Sequence, residues 1–367
     1  MTGPRPDTDD YRALFLQHTP LIDLRAPVEF AQGSFPGALN LPLLTDDERA
    51  EVGRCYKHSG QEAAITLGHS LVKGDVKAMR IEQWLAFAHR YQTGYLFCFR
   101  GGLRSQTVQR WLREAGLDYP LVVGGYKKMR RFLLDELERS IAKGSFVLVS
   151  GKTGTGKTRV IRRLTRSIDL EGQANHRGSS FGQLPEGQPS QIDFENRISI
   201  ALLRQLHASP LPIFLEDEGR LIGRLSLPES LRGKMAESPM VVVEHSLEER
   251  VEVVVEDYII DLGQRYQALF GDEGPRLHRD KLLHDLGRIR KRLGGLRFTQ
   301  VSEVMEAAFT AQWQRRDLDG HREWVSQLLR DYYDPMYEYQ LEQRSGRVLF
   351  SGRRDEVIAR AAEMDRS

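Results

Sequence analysis

Short apolar runs alternate with amphipathic segments in the first part of the chain. The run 20–25, which ends in charged residues, and the mostly apolar runs 94–98 and 121–123 predict short buried strands, and residues 33–42 predict a turn followed by another strand. Residues 105–112 carry apolar side chains at helical spacing, and the pattern ends near Gly116. Because a parallel sheet needs crossover helices between its strands, this alternation predicts a small parallel sheet.

The alternation returns after a long amphipathic segment. Residues 128–143 predict one helix, and the apolar runs 146–149, 213–216 and 240–244 predict buried strands. From about residue 247 the pattern is almost wholly helical, apart from a strand-like run near the end. We therefore expect an α/β protein with a parallel-sheet domain at 14–138, a helical insertion in it at about 48–91, a second α/β domain at 139–246, and a mainly helical C-terminal region at 247–367.

Length and composition narrow the class of protein. The chain has 367 residues, 40% of them hydrophobic, so two or three folded domains are expected. Its apolar runs fall well short of the ~20 residues of a membrane span, and residues 1–7 lack the apolar core of a signal peptide. We therefore expect a cytoplasmic protein without a membrane partner. The only two cysteines, Cys55 and Cys98, argue against a disulfide framework or a thiolate metal site, and no metal ligands are assigned.

Cys98 opens a loop rich in arginine and glycine. It ends a predicted strand and is followed by Arg100, Gly101, Gly102 and Arg104 before a predicted helix. The helix dipole and the two guanidinium charges favour the thiolate, so Cys98 is expected to be a nucleophile. The glycines allow successive backbone N–H groups to surround an anion held on the sulfur. Simple packing of a lone buried cysteine, the alternative, needs neither arginine nor glycine.

A second anion-binding pattern begins at residue 151. Residues 151–158 match GxxxxGK[ST] between an apolar strand and a helix-like segment, the context that this phosphate-binding motif requires. Lys157 is expected to reach the terminal phosphates, and Thr158 a metal ion such as Mg²⁺. The acidic residues 216–218 are either metal-orienting carboxylates or solvated loop acids. The residues assigned to phosphate binding are Gly151, Gly154, Thr155, Gly156, Lys157 and Thr158.

Segments around Cys98 resemble a rhodanese domain. The resemblance covers roughly residues 14–138 and is carried by residues 22–25, 29–30, 33–42, Cys98 and 123–126. Sulfurtransferases of this type commonly place an arginine five positions after the cysteine, whereas Arg104 lies six positions after Cys98. The longer loop resembles the C-x5-R loop of related phosphatases, so we expect it to admit a phosphate-sized anion as well as a bare chalcogen.

A rhodanese-like domain joined to a phosphate-loop domain is similar to the tRNA 2-selenouridine synthase family over essentially the whole chain. The resemblance implies S-geranylation of the wobble 2-thiouridine of a tRNA from geranyl diphosphate, followed by selenation from selenophosphate. It implies that Cys98 carries the selenium, held as Cys–Se⁻ beside Arg100 and Arg104, and it associates the segment around Gly68 with geranylation. The alternative for Gly68 is a glycine that only allows helices to pack.

The resemblance also suggests ligands for the phosphate loop. The chain has no DDxxD motif, so this loop is the best available cradle for geranyl diphosphate, and ATP is the rival ligand. We expect no tightly bound cofactor. Selenophosphate synthetase is a further partner that the family suggests.

Basic clusters would suit a tRNA partner, although the net charge is only +2. Phosphate contacts from these clusters would position an anticodon arm, and the target base, which lies in a single-stranded loop, needs no duplex melting. Solvated helix faces are the alternative explanation. The candidate contacts are Lys127, Lys128, Arg130, Arg131, Arg290, Lys291 and Arg292.

Two other classes of function remain open on the sequence. A phosphatase or sulfurtransferase coupled to a nucleotide-binding loop could use Cys98 and Arg104, although Phe97 stands where such phosphatases often have a histidine. In the second alternative the protein is a non-catalytic nucleotide switch and Cys98 has no function. The presence of Cys98 together with Arg100 and Arg104 disfavours this alternative.

Overall fold

The computed structural model describes residues 5–364 and contains two compact units. The first comprises the described part of Met1–Ser140 together with Ser190–Arg204, and the second comprises Ile141–Pro189 and the described part of Gln205–Ser367. Residues 1–4, in the segment compared above with a signal peptide, and residues 365–367, at the end of the predicted C-terminal region, lie outside the described residues.

The first unit is built on a parallel sheet of three strands. β1 (Leu21–Asp23) lies between β2 (Leu39–Asn40) and β3 (Tyr95–Phe97). An isolated parallel bridge joins Leu96 to Leu121, so the chain at residue 121 continues the sheet beyond β3. β1 is wholly buried, as expected for a parallel strand covered on both faces. The sheet places residue 98 at the carboxyl end of β3.

Helices cover this sheet and follow its strands. β1 leads into α2, and β3 leads through the Cys98 loop into α5. The last residues of α6 belong to the second unit. The helices up to the unit boundary are α1 (Tyr11–Leu16), α2 (Pro27–Ala31), α3 (Asp46–Leu71), α4 (Gly74–Arg90), α5 (Leu103–Glu114) and α6 (Gly125–Lys143).

The helical insertion contains a hairpin. α3 begins with a capping box between Thr45 and Glu48 and is interrupted at Gly60, where φ is 81° and ψ is −175°. A Cβ placed on Gly68 would lie 3.9 Å from Val52 Cγ2. Residues sixteen apart in a straight helix would be separated by about 24 Å. The two arms of α3 therefore fold back alongside each other, and we call residues 46–71 the α3 hairpin.

Residues 190–204 belong to the first unit, which differs from the predicted continuous domain at 139–246. They lie in α9 (Gln191–Ala208) and just before it. Asp193 accepts a hydrogen bond of 2.8 Å from the backbone N–H of Ser34, and Arg204 donates to the carbonyl oxygen of Phe15. Ile200 and Leu203 are buried in the same apolar cluster as Phe15. These contacts join residues that are far apart in sequence, so the local pattern of residues 190–204 could not predict that they belong to the first unit.

The second unit contains a parallel sheet of five strands in the order β10-β9-β4-β6-β5. Its central strand β4 is completely buried and leads into the phosphate loop. An antiparallel pair, β7 (Leu221–Ile222) and β8 (Leu225–Ser226), stands apart from it. The strands of the larger sheet are β4 (Phe146–Ser150), β5 (Ser167–Ile168), β6 (Ile213–Glu216), β9 (Met240–Val243) and β10 (Val348–Gly352). The prediction of a mixed α/β protein with parallel sheets is confirmed.

The C-terminal region is mostly helical, but its strand β10 pairs with β9 in the phosphate-loop sheet. The region is therefore part of the second unit, not an appended helical domain. Two π-helical segments, Glu256–Asp261 and Leu329–Tyr333, interrupt its helices. The α-helices of the second unit are α7 (Lys157–Ile161), α8 (Leu170–Ala174), α10 (Glu229–Glu237), α11 (Leu247–Val255), α12 (Leu262–Phe270), α13 (Gly274–Leu293), α14 (Gly295–Arg315), α15 (Asp319–Leu328), α16 (Asp334–Glu342) and α17 (Arg354–Met364). Across residues 5–364, none of the helices combines the length and apolar character that spanning a membrane requires.

Candidate functional site

Cys98 lies between the end of β3 and the start of α5. Its side chain is 3% exposed, and its Sγ lies 3.0 Å from the hydroxyl oxygen of Ser105. Helix α5 begins without a side-chain cap, so its first N–H groups face the loop unpaired. Within residues 5–364, the backbone N–H groups from Phe99 to Ser105 donate to no protein acceptor. The loop is therefore a nest of free donors next to a buried thiol.

The two glycines of this loop have different structural requirements. Gly101 has a φ of 64°, and a Cβ there would lie 2.6 Å from the backbone nitrogen of Gly124 and 2.9 Å from the carbonyl oxygen of Val122. A Cβ on Gly102 would meet nothing within 4 Å. The loop is also fixed from outside, because the N–H of Tyr126 donates to the carbonyl of Cys98 over 2.9 Å. Gly101 therefore permits the close approach of two backbone segments, whereas Gly102 leaves room for a side chain.

Arg104 is held by Glu29, which lies in one of the segments that resemble a rhodanese domain but was not assigned to the site. Its two terminal nitrogens contact the two oxygens of Glu29 at 2.6 and 3.2 Å, and Arg49 adds a third contact to Glu29 at 3.2 Å. Burial lowers the pKa of Arg104, but the hydrogen bond and charge of Glu29, together with the charge of Cys98, raise it above its ordinary value. Burial raises the pKa of Glu29, but the hydrogen bond and charge of Arg104, together with the Ala26 N–H and the charge of Arg49, lower it below its ordinary value. Arg104 is a fixed cation near Cys98.

Arg100 has a different environment from Arg104. Its side chain is exposed, and its guanidinium lies 6.0 Å from the centre of the Phe99 ring. It lines the same cavity as Cys98 and is free to reorient toward an anion there.

A cavity of about 830 Å³ opens beside the cysteine loop. Cys98, Arg104 and Trp111 line one side, and the α3 hairpin, including Gly68, lines another. The deep part is apolar, whereas the exposed side chains of Arg54 and Lys57 lie at the rim. The buried apolar residues of the lining are Leu43, Leu44, Ala64, Val72 and Trp111, each at most 7% exposed. The structure thus brings Gly68 and Cys98 to one cavity, which the sequence did not predict.

The phosphate loop of the second unit has the expected strand–loop–helix geometry. Lys157 Nζ donates to the carbonyl oxygen of Gly151 over 2.9 Å, and within the described chain the N–H groups of Gly154, Gly156, Lys157 and Thr158 donate to no protein acceptor. The Thr155 N–H, which was also assigned to phosphate, donates to a carbonyl of its own loop over 3.2 Å. The loop therefore offers free donors at the start of a helix that follows a buried strand.

Buried carboxylates surround Thr158. Its hydroxyl donates to Glu171 over 3.0 Å, and the backbone N–H of Glu171 donates to Glu216 over 2.9 Å. Burial, and then the charge of Glu171, raises the pKa of Glu216 to about 8 and that of Glu218 well above its usual range. Burial also raises the pKa of Glu171, although the charge of Lys157 and the hydrogen bond from Thr158 lower it. Residues 216 and 218 are therefore not solvated loop acids.

This cluster is suited to a divalent cation that is bound together with phosphate. Glu216 is fully buried, and its Oε1 has no hydrogen-bond partner. Among residues 5–364 no group of three or more His, Cys, Asp or Glu side chains forms a protein-only metal cage. Mg²⁺ needs few protein ligands, because it keeps waters and binds substrate phosphates. The residues therefore fit Mg²⁺, and the Thr158 hydroxyl and the Glu171 and Glu216 carboxylates are the side chains that would hold it if it were bound.

The two basic clusters differ in how many of their charges are available. Arg130 is engaged by Glu195 and by Asn196, the latter over 2.7 Å, and Arg131 pairs with Asp135 over 3.1 Å. Lys127 and Lys128, by contrast, are exposed on α6. In the second unit the side chains of Arg290, Lys291 and Arg292 are all exposed at the end of α13.

Comparison with known proteins identifies the family. Residues 144–367 match the family model described as the tRNA 2-selenouridine synthase AAA domain. The tRNA 2-selenouridine synthase of Marinobacter nauticus is 55% identical over 349 residues, which cover 95% of each chain. The synthase of Alcanivorax borkumensis is 52% identical over 97% of this chain and 98% of its own, and that of Hahella chejuensis is 54% identical over 95% and 93%. With a model that spans most of the chain and relatives of this similarity, the protein belongs to the tRNA 2-selenouridine synthase family.

Proposed function

We propose that this protein replaces sulfur by selenium at the wobble 2-thiouridine of tRNA, first by S-geranylation from geranyl diphosphate and then by selenation from selenophosphate with Cys98. The relatives are named for 2-selenouridine synthesis on tRNA, which supports the overall reaction. We also propose that the first unit is a rhodanese-like domain. The parallel sheet that carries Cys98 at the carboxyl end of β3 supports this assignment.

The observation that carries the proposal is the cavity shared by Cys98 and the α3 hairpin. Its volume of about 830 Å³ lies within the range of ligand pockets for small organic molecules. Its deep apolar wall suits a prenyl chain, and its basic rim suits an anionic donor. Transfer of a bare sulfur or selenium atom would require neither the volume nor the apolar wall. Gly68 lines this cavity, and a Cβ on it would lie 3.9 Å from Val52 Cγ2, which belongs to another residue of the lining.

The order of the two steps follows from the chemistry of the leaving group. The sulfur of a thiocarbonyl leaves poorly, whereas an S-alkyl group leaves as a thiol and makes the adjacent ring carbon more electrophilic. S-Geranyl-2-thiouridine, selenophosphate and water then give 2-selenouridine, geranylthiol and phosphate. Phosphorus and selenium keep their oxidation states, so the exchange needs no reductant.

The phosphate loop would bind a second phosphate-bearing ligand, either geranyl diphosphate or ATP. Free N–H donors around Lys157, and the Thr158, Glu171 and Glu216 site for Mg²⁺, support this role. A divalent ion there would neutralise phosphate charge. The tRNA would contact the exposed basic side chains of α6 and α13, and selenophosphate synthetase is the expected source of the selenium donor.

Nucleoside mass spectrometry of a 2-thiouridine tRNA incubated with geranyl diphosphate and selenophosphate tests the proposal. The wild-type chain should give geranylthiouridine and then selenouridine. The variant Cys98→Ala should accumulate geranylthiouridine, and Cys55→Ala, which removes the other cysteine, should behave as wild type. Loss of geranylation in Lys157→Ala would assign the geranyl donor to the phosphate loop, and unchanged geranylation would assign another ligand to it.

Absence of any modified nucleoside with wild-type protein would reject the proposed function. Turnover of an aryl phosphate by the wild type but not by Cys98→Ala would then establish the phosphatase alternative. Selenouridine formation by Cys98→Ala at the wild-type rate would remove Cys98 from the reaction.

A further inference from the structure

We propose that Cys98 does not carry selenium but accepts the phosphoryl group of selenophosphate, forming an S-phosphocysteine during each turnover. This inference rests on the proposed function, because it specifies what Cys98 does in the selenation step. It follows from the electron balance of that step, the donors and charges around Cys98, and the cavity that the loop shares with the α3 hairpin.

Electron balance distinguishes the two possible roles of Cys98, which are to carry selenium or to accept the phosphoryl group. Selenium in selenophosphate is already at the oxidation level that it has in selenouridine. If the Cys98 thiolate took selenium as Cys–S–Se⁻, phosphorus would have to leave with an extra electron pair as phosphite. Release of the selenium from sulfur to the nucleoside would then require an external reductant. Attack of the thiolate on phosphorus needs neither.

The donors of the Cys98 loop match a phosphoryl group better than a single atom. A phosphoryl group bound to sulfur has three terminal oxygens, each able to accept more than one hydrogen bond. Seven consecutive backbone N–H groups, from Phe99 to Ser105, have no acceptor within the described residues. A lone selenium on sulfur could accept from few of them. The Ser105 hydroxyl lies 3.0 Å from Cys98 Sγ and 3.2 Å from the carbonyl oxygen of Gly102, and with its proton turned to the sulfur it stabilises the thiolate before attack and after release.

The charge of the cavity also favours a dianion. Five basic side chains and one acidic side chain, Glu29, are in the lining. A phosphoryl group carries about −1.5 to −2 at neutral pH, more than one singly charged selenide. Arg104 is already fixed by Glu29, and Arg100 at the rim is not held by a carboxylate in the described part of the chain. The basic residues of the lining are Arg49, Arg54, Lys57, Arg100 and Arg104.

The cavity also has room for the geranylated uridine, the second reactant of the selenation step. Its deep wall, formed by residues such as Val72 and Trp111, is apolar and adjoins Cys98. A geranyl chain on the uridine sulfur can occupy this wall while the selenophosphate lies over the cysteine loop. The reacting carbon, the selenium and the phosphorus would then share one enclosed space next to the thiolate.

The reaction can be written in three balanced steps. The Cys98 thiolate attacks the phosphorus of selenophosphate, a sulfur–phosphorus bond forms, and the phosphorus–selenium bond breaks with its electron pair going to selenium, which leaves as selenide. The selenide attacks the uridine ring carbon, the carbon–sulfur bond breaks, and geranylthiolate leaves with the electron pair and takes up a proton, which gives selenouridine. Water then cleaves the sulfur–phosphorus bond, releasing phosphate and the thiolate.

The test is to mix wild-type protein with a geranylated RNA oligonucleotide and selenophosphate, denature it at alkaline pH within the first turnover, digest the chain at alkaline pH, and analyse its peptides by high-resolution mass spectrometry. We expect a mass gain of one phosphoryl group, without the isotope pattern of selenium, on the peptide that contains Cys98. The variant Cys55→Ser should retain this adduct, and the nearly isosteric Cys98→Ser should lose it. Phosphorus NMR of the products should show phosphate and no phosphite.

Selenouridine formation accompanied by a selenium isotope pattern on Cys98, or by phosphite, would overturn the inference and leave the proposed function standing. Selenouridine formation at the wild-type rate with no adduct on Cys98 at any quench time would also overturn it. If wild-type protein makes no selenouridine from the geranylated RNA, the proposed function itself fails.

Discussion

At the scale of single residues, the environment of Cys98 combines groups from its own loop with one from a distant helix. Ser105 contacts the sulfur directly, whereas Glu29, on α2, acts on it through Arg104. The sequence identified Cys98, Arg100 and Arg104 from their spacing. Ser105 lies beside Arg104 in the sequence and could have been found there, because a hydroxyl in the first turn of the helix can face back to the cysteine. Glu29 lies 75 residues from Arg104 and gave no such signal.

Removing the Ser105 hydroxyl should make Cys98 less reactive. A hydrogen bond to a charged group contributes about 1.5–3 kcal/mol, so removal of this bond in Ser105→Ala should slow alkylation of Cys98 by at least roughly tenfold. The measurement is the rate of iodoacetamide labelling of the Cys98 peptide at neutral pH. Ser105→Thr, which keeps the hydroxyl, should restore most of the rate, and equal rates in Ser105→Ala and wild type would contradict the role of this hydrogen bond.

At the scale of elements, the α3 hairpin decides what the cavity can bind. The sequence predicted a helical insertion, but its helical pattern continues through Gly60, and nothing in it indicated that the two arms fold back. The reversal occurs because Gly60 adopts a positive φ with an extended ψ, a conformation that is almost confined to glycine. It brings Val52 and Gly68 together and closes one side of the cavity.

Gly60→Ala should therefore destabilise the hairpin through backbone strain alone. No atom lies within 4 Å of a Cβ at this position, so the expected cost of about 1–3 kcal/mol is conformational. Hydrogen exchange of residues 46–71 should become faster in this variant. Gly53→Ala is the matched control, because Gly53 also has open space around a Cβ but lies within a helical arm, where alanine is favoured by up to about 1 kcal/mol. Equal protection in the two variants would mean that Gly60 is not the hinge.

At the scale of the whole molecule, one chain joins two units that each carry an anion-binding loop at the end of a parallel strand. In both, a buried strand delivers free N–H groups at the start of a helix, which is why the two loops could be recognised from sequence. The basic clusters are divided between the units. Their exposed members, such as Arg290, Lys291 and Arg292, are the part of the protein best suited to a polyanion.

Binding of tRNA should depend steeply on salt, and the exposed charges of α13 should account for part of that dependence. Replacing Arg290, Lys291 and Arg292 by alanine should weaken binding and reduce the slope of log K against log salt by about 1 for each phosphate group that the variant no longer neutralises. Arg276→Ala is the control on the same helix, because Arg276 is already paired with Glu273 and Asp280. Filter binding across a salt series provides the measurement, and an unchanged slope in the triple variant would exclude this face.

The sequence by itself determined the features that depend on neighbouring residues: the parallel strands, both anion-binding loops and the helical insertion. Local spacing is sufficient for these, because strand alternation, helix starts and glycine-dependent loops are set by nearby backbone and side-chain chemistry. Only the tertiary structure decided that residues 190–204 join the first unit, that β10 joins the phosphate-loop sheet, and that Gly68 and Cys98 line one cavity. Each of these depends on contacts between residues that are distant in the chain. Burial and close packing select such partners, and they cannot be predicted from the pattern of neighbouring residues.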